Sequence, residues 1–203
     1  MHISEGVLRP EILVAGAVIS AAVTIYALKI LKNEEIPKVS AFSALFFLAS
    51  FVHIPIGVTS VHLILNGIVG AVLGIRAFIA IFVALLLQGL LFGYGGITTL
   101  GINLFTLATP ALVGYWLFNI SYKKVWQKQI IWFFVGFLPI TFGALLLSLV
   151  LSLNGDEKGF LIAAKIAFLA HIPIMIVEGI ITLLALNFIE KVKPSFIRKQ
   201  DVA

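Results

Sequence analysis

Seven apolar runs, at about 12–31, 39–56, 61–75, 77–92, 104–118, 130–153 and 160–189, are separated by short polar connections. A spanning helix needs about 20 largely apolar residues, so this pattern predicts an all-α integral membrane protein, a bundle of about seven transmembrane helices. The run at 61–75 is short and contains Asn66, Gly67, Gly70 and Gly74. Lipid offers a glycine-interrupted backbone no hydrogen bonds, which assigns this helix to the interior of the bundle. With no heptads, solenoid repeats or long linkers, residues 1–203 read as a single transmembrane domain. A segment at 1–9 precedes the first run, and a short basic tail occupies 191–203.

Composition strengthens the membrane assignment. The 203 residues are 61% hydrophobic and 11% charged, against roughly 45–50% and 25% in soluble domains. Seven spans consume about 140 positions, leaving no room for a soluble catalytic or ATP-binding domain. The absence of cysteine removes disulfides, iron–sulfur clusters, thiolate metal sites and cysteine nucleophiles together, so any metal is held by nitrogen or oxygen.

The net charge of +5 reflects topology rather than nucleic-acid binding. With the N-terminus outside, the inner connections hold Lys29, Lys32, Lys38, Arg76, Lys123, Lys124, Lys128, Lys191, Lys193, Arg198 and Lys199, and the outer ones only Arg9 and Lys158. The positive-inside rule therefore predicts an outer N-terminus and an inner C-terminus. Glu5 and Glu11 beside the single Arg9, with an apolar run reaching Leu31, make the first span a retained helix rather than a signal peptide.

In that topology His2, His53 and His62 fall at the outer side and His171 roughly 16 Å into the last span. Met1 and His2 offer a compact chelate, although these two residues taken alone fit an ordinary exposed second-position histidine better. The terminal amine and the His2 backbone nitrogen close a five-membered ring, and the His2 imidazole closes a six-membered one. A further imidazole completes a planar four-nitrogen set suited to Ni(II) or Cu(II). His62 is one such imidazole, with Thr59 and Ser60 available to fix its tautomer; it equally suits a histidine snorkelling to the membrane edge.

His53 has no evident partner in sequence. His171 and Glu178 lie seven apart and share a helix face; ionisable groups inside a span mark either function or buried pairing. The uncharged segment from Gly93 to Asn103 lacks a phosphate-binding GxxxxGK[ST] pattern and reads as a re-entrant loop capping a buried site.

The opening Met1-His2-Ile3-Ser4-Glu5-Gly6-Val7-Leu8 combines with Ser60-x-His62-Leu63 and the loop Gly95-Gly96-x-Thr98-Thr99-Leu100-Gly101-x-Asn103. His171-Ile172-Pro173 and Glu178-Gly179 follow in order. Nearly the whole chain thus resembles the CbiM/NikM family, the substrate-capture membrane subunits of energy-coupling-factor (ECF) ABC transporters for cobalt and nickel.

The resemblance implies that the N-terminus tucks into the bundle and holds one cation through the Met1 amine, the His2 backbone nitrogen and imidazole, and His62. Asn66 and Asn103 fall within the family segments as supporting candidates. No prosthetic group is implied; the bound ion is the transported Ni2+ or Co2+, cobalt uptake serving cobalamin biosynthesis. The implied partners are a coupling transmembrane subunit, ATPase subunits and a small accessory membrane subunit, in the plasma membrane of a prokaryote, with no nucleic acid. Leu63 after the histidine departs from the Ser-His-Pro pattern of cobalt-associated members and is closer to nickel-type ones.

Two other functions fit parts of the pattern. One is an ECF capture subunit for an organic vitamin, stacked on Tyr115 or Trp116. The other is an intramembrane enzyme using His171 and Glu178, although HExxH and GxSxG motifs are absent.

Overall fold

The computed structural model describes residues 2–56, 59–155 and 158–194. Among them the chain forms helices α1 (Pro10–Lys29), α2 (Ile36–Ala49), α3 (Asn66–Leu73), α4 (Ala77–Phe92), α5 (Leu100–Phe118), α6 (Val125–Leu153) and α7 (Lys158–Val192). Strands β1 (His53–Ile56) and β2 (Thr59–His62) form an antiparallel hairpin between α2 and α3, with His53 opposite His62.

The hairpin corrects the expectation of continuous helices at 39–56 and 61–75. Val52, Ile54, Ile56, Thr59 and Val61 are β-branched, and Pro55 cannot donate to a helix ladder. This stretch is as apolar as a span but has the side-chain shapes of a strand. α2 is consequently 14 residues long, about 21 Å, and α3 only eight.

Contacts fix the direction of each helix. The N-terminal segment meets the start of α5 through Ile3 and Asn103, and the end of α6 through Arg9 and Asn154. At the opposite end, Arg76 bonds the carbonyl of Ile30 after α1 and pairs with Glu35 before α2. Lys128 pairs there with Glu190, joining the start of α6 to the end of α7.

Among the described residues, length and composition qualify five stretches to cross a membrane, one of them Asn66–Phe92. That stretch is nevertheless two helices running in opposite directions. Gly67 and Gly70 of α3 abut Gly114 and Ala111 of α5, and Gly74 abuts Tyr115, so α3 descends alongside α5. Gly74, at φ +56°, then breaks the helix, and α4 climbs back to Tyr94, whose N–H bonds Gln88 O.

α3 is buried nearly throughout, as its glycines and Asn66 predict. A Cβ on Gly67 would strike Val135 O, and one on Gly70 would strike Ala111 O. These small residues therefore pack internally, bringing backbones of α3, α5 and α6 together. Pro110, Pro139 and Pro173 lie inside α5, α6 and α7, tolerated because neighbouring helices and polar side chains accommodate the interrupted backbone.

Candidate metal centre

The segment from His2 to Arg9 lies across one end of the bundle without helix or strand structure, so its polar backbone needs side-chain partners. Two asparagines supply them. Ile3 N–H donates to Asn103 Oδ1 at 2.8 Å and Asn103 Nδ2 donates back to Ile3 O at 3.0 Å. Arg9 N–H donates to Asn154 Oδ1 and Asn154 Nδ2 to Val7 O, both at 2.7 Å. Ile3 and Leu8 are buried beneath the segment.

The glycine-rich loop closes over the same segment. Glu5 Oε1 accepts from Thr98 N–H at 3.0 Å and from Thr98 Oγ1 at 3.3 Å. Gly96, at φ +142°, leaves room for Glu5, whose side chain a Cβ would overlap; Gly95 makes comparable room for Asn103. The loop expected to be a re-entrant cap over a buried site is thus seen in contact with the N-terminal segment.

His2 sits within this enclosure. Its ring stacks on His62 with centroids 5.0 Å apart and planes at 21°, and on Tyr94 with centroids at 6.0 Å. Both ring nitrogens are buried without a hydrogen-bond partner among the described residues. Burial holds the His2 pKa well below its ordinary 6.5, with the positive amino terminus and then His62 adding to the effect. His2 is accordingly held as a neutral imidazole, the form that ligates metals.

His62 Nδ1–H donates to Leu63 O at 2.7 Å, a tautomer that leaves the lone pair on Nε2. Two imidazoles sixty positions apart are therefore brought face to face beside an enclosed backbone segment. Among the described residues no three His, Asp or Glu side chains converge.

The other candidates separate into distinct places. Met1 lies outside the described residues, as do the side chains of His53, Thr59 and Ser60. Asn66 is buried and donates to Leu107 O at 3.0 Å, fastening α3 to α5. His171 Nδ1–H donates to Ala167 O at 2.6 Å, and its buried Nε2 has no partner among the described residues.

Glu178 is fully buried and accepts the backbone N–H groups of Ile64 and Leu65. His171 and Glu178 thus engage separate backbone groups. Trp116 is 67% exposed and Tyr115 packs against Gly74 at the other end of the bundle, so neither adjoins the His2–His62 pair.

Three residues at or near the site have no role assigned from sequence. Glu5 and Asn154 hold the N-terminal segment, and Gln88, fully buried on α4, has neither side-chain amide atom partnered among the described residues. Gln88 carries the clearest sequence signal, being a lone amide in the apolar run of α4.

Residues 2–196 match the family model described as the cobalt uptake substrate-specific transmembrane region, CbiM. A relative from Haemophilus influenzae named as a metal transport protein is 36% identical over 204 residues, covering 99% of this chain and 98% of that one. A fused nickel transport protein, NikMN, from Archaeoglobus fulgidus is 27% identical, covering 98% of this chain and 69% of that protein. A crystal structure described as a truncated transition metal transporter superposes with a TM-score of 0.75 at 28% identity, covering 94% of this chain and 99% of that one. Shared sequence along the chain and shared helix arrangement thus agree: this is a membrane protein of the CbiM/NikM family of cobalt and nickel transport proteins.

Proposed function

We infer that this chain is the substrate-capture subunit of an ECF-type transporter, binding Ni2+ or Co2+ from outside for uptake driven by separate ATPase subunits. The observation that carries this reading is the pairing of His2 with His62 at 5.0 Å, beside a main chain clamped by Asn103 and Asn154. Four nitrogens form the binding set: the Met1 amine, the His2 main-chain nitrogen, the His2 imidazole and the His62 imidazole. The ion is the cargo of this site. A planar four-nitrogen arrangement suits Ni(II) and disfavours tetrahedral Zn(II).

Orientation follows from charge. The bundle end opposite the His2–His62 pair carries Lys29, Lys32, Arg76, Lys123, Lys124, Lys128, Lys191 and Lys193, whereas Arg9 lies at the site end. The positive-inside rule puts the metal site outside and the C-terminus in the cytoplasm of a prokaryotic cell, with the chain crossing seven times and α3 completing its crossing together with the segments that flank it. A coupling membrane subunit, ATPases and a small accessory subunit complete the transporter; the fused nickel transport relatives support a many-part assembly.

Calorimetry of Ni(II) and Co(II) binding to purified protein tests this function. His2→Ala and His62→Ala are each expected to abolish high-affinity binding while leaving the protein folded. Undiminished binding by both variants contradicts it.

A further inference from the structure

We propose that Glu178 is a positioning residue for His62, acting through a single peptide unit; this rests on the reading of His62 as a metal ligand. β2 ends at His62 and α3 begins at Asn66, so Leu63, Ile64 and Leu65 need hydrogen-bond partners outside both elements. Leu63 N–H donates to Val52 O at 3.0 Å. Ile64 N–H and Leu65 N–H both donate to the Glu178 carboxylate, Leu65 at 3.0 and 3.1 Å.

Leu65 has φ 58°, a left-handed conformation that persists in a leucine when its surroundings over-determine it. Two successive N–H groups at such a bend form a concave anion nest. Here the anion is the protein's own, supplied by α7 and fully buried.

The Leu63–Ile64 peptide links this nest to the imidazole. Its C=O accepts the proton of His62 Nδ1 at 2.7 Å, and its N–H donates to Glu178. The peptide is planar and rigid, so fixing one end fixes the acceptor that orients the His62 ring. Hydrogen bonds in series also polarise one another. The order carboxylate, peptide, imidazole directs electron density toward Nε2, in the manner of carboxylate–histidine–metal triads. Glu178 thereby sets both the placement and the basicity of the nitrogen offered to the ion, and ties them to the position of α7.

Ni(II) calorimetry on the purified full chain, comparing Glu178→Gln, Glu178→Leu and His62→Ala with wild type, tests the proposal. Hydrogen exchange at the Ile64 and Leu65 amides and the visible absorption of bound Ni(II) provide further readouts. Supporting hydrogen bonds to metal-bound histidines are worth roughly 10–100-fold in affinity, so Glu178→Leu is expected to weaken binding by about that factor and to speed exchange at both amides.

Glu178→Gln keeps an accepting oxygen but loses the charge. It is expected to bind several-fold more weakly with an unchanged Ni(II) spectrum. Wild-type affinity in both variants overturns the proposal, and if Glu178→Leu fails to fold, wild-type affinity in Glu178→Gln alone overturns it. Wild-type affinity in His62→Ala overturns instead the assignment of His62 as a ligand, and the proposal with it.

Discussion

The side-chain amide of Asn103 is paired with both main-chain groups of Ile3, one residue beyond His2 in the chain. A donor and an acceptor on one planar amide fix the chain direction as well as the position of the segment. Asn103→Ala is therefore expected to weaken Ni(II) binding by about tenfold or more, since it frees the backbone that orients the chelate. Asn103→Asp retains the acceptor but faces Ile3 O without a donor, so it should bind poorly too. Calorimetry on both variants checks this; wild-type affinity in Asn103→Ala would refute the clamp.

Gly96→Ala is predicted to displace Glu5, because a Cβ there overlaps its side chain and the residue has φ +142°. Adding Glu5→Ala removes the collision but not the backbone strain. The double variant should regain part, not all, of the thermal stability lost by Gly96→Ala. Melting temperatures of the two single variants and the double variant measure that coupling.

The depressed pKa of His2 sets a pH signature. A histidine whose folded pKa lies below its unfolded value of about 6.5 binds fewer protons when folded, so metal-free stability declines as pH falls below that value. The loss continues down to the lower folded pKa. Above pH 6.5 His2 contributes no proton to the exchange with metal. Proton release there comes from the terminal amine, with pKa about 8, and the His2 amide. Calorimetry in buffers of different ionisation enthalpy should count about two protons near pH 7. A count of one or fewer would contradict ligation by the His2 amide.

Gln129 and Asn187 exchange hydrogen bonds of 2.9 and 3.0 Å between α6 and α7 at the end opposite the histidines. Asn187→Ala leaves the Gln129 amide unpaired and is expected to cost about 1–2 kcal/mol. Ni(II) affinity should remain unchanged, as the pair is remote from His2 and His62. Thermal unfolding and calorimetry on the same preparation separate the two effects.

Local chemistry made part of this site legible in sequence. The proposed His2 chelate draws on only two adjacent residues, and the glycines at 95 and 96 mark a loop where backbone must pass close to other groups. Apolarity likewise located the helices, and the amide and glycines of α3 announced its burial. The β-hairpin was hidden because its β-branched residues are as apolar as a helix in lipid. Long-range pairings left no comparable trace: Asn154 reaches Val7 across 147 positions, and Glu178 reaches Ile64 across 114. Glu178 stood out as an intramembrane charge, but its partners are backbone amides, which every sequence contains.

The most direct measurement compares Ni(II) and Co(II) binding by the chain beginning at Met1 with binding by a form carrying one additional residue before Met1. Extension converts the Met1 amine, the proposed ligand, into an amide and moves the free amine away from His2. Loss of high-affinity binding in the extended form is the predicted result. Equal affinity in the two forms would contradict the N-terminal chelate.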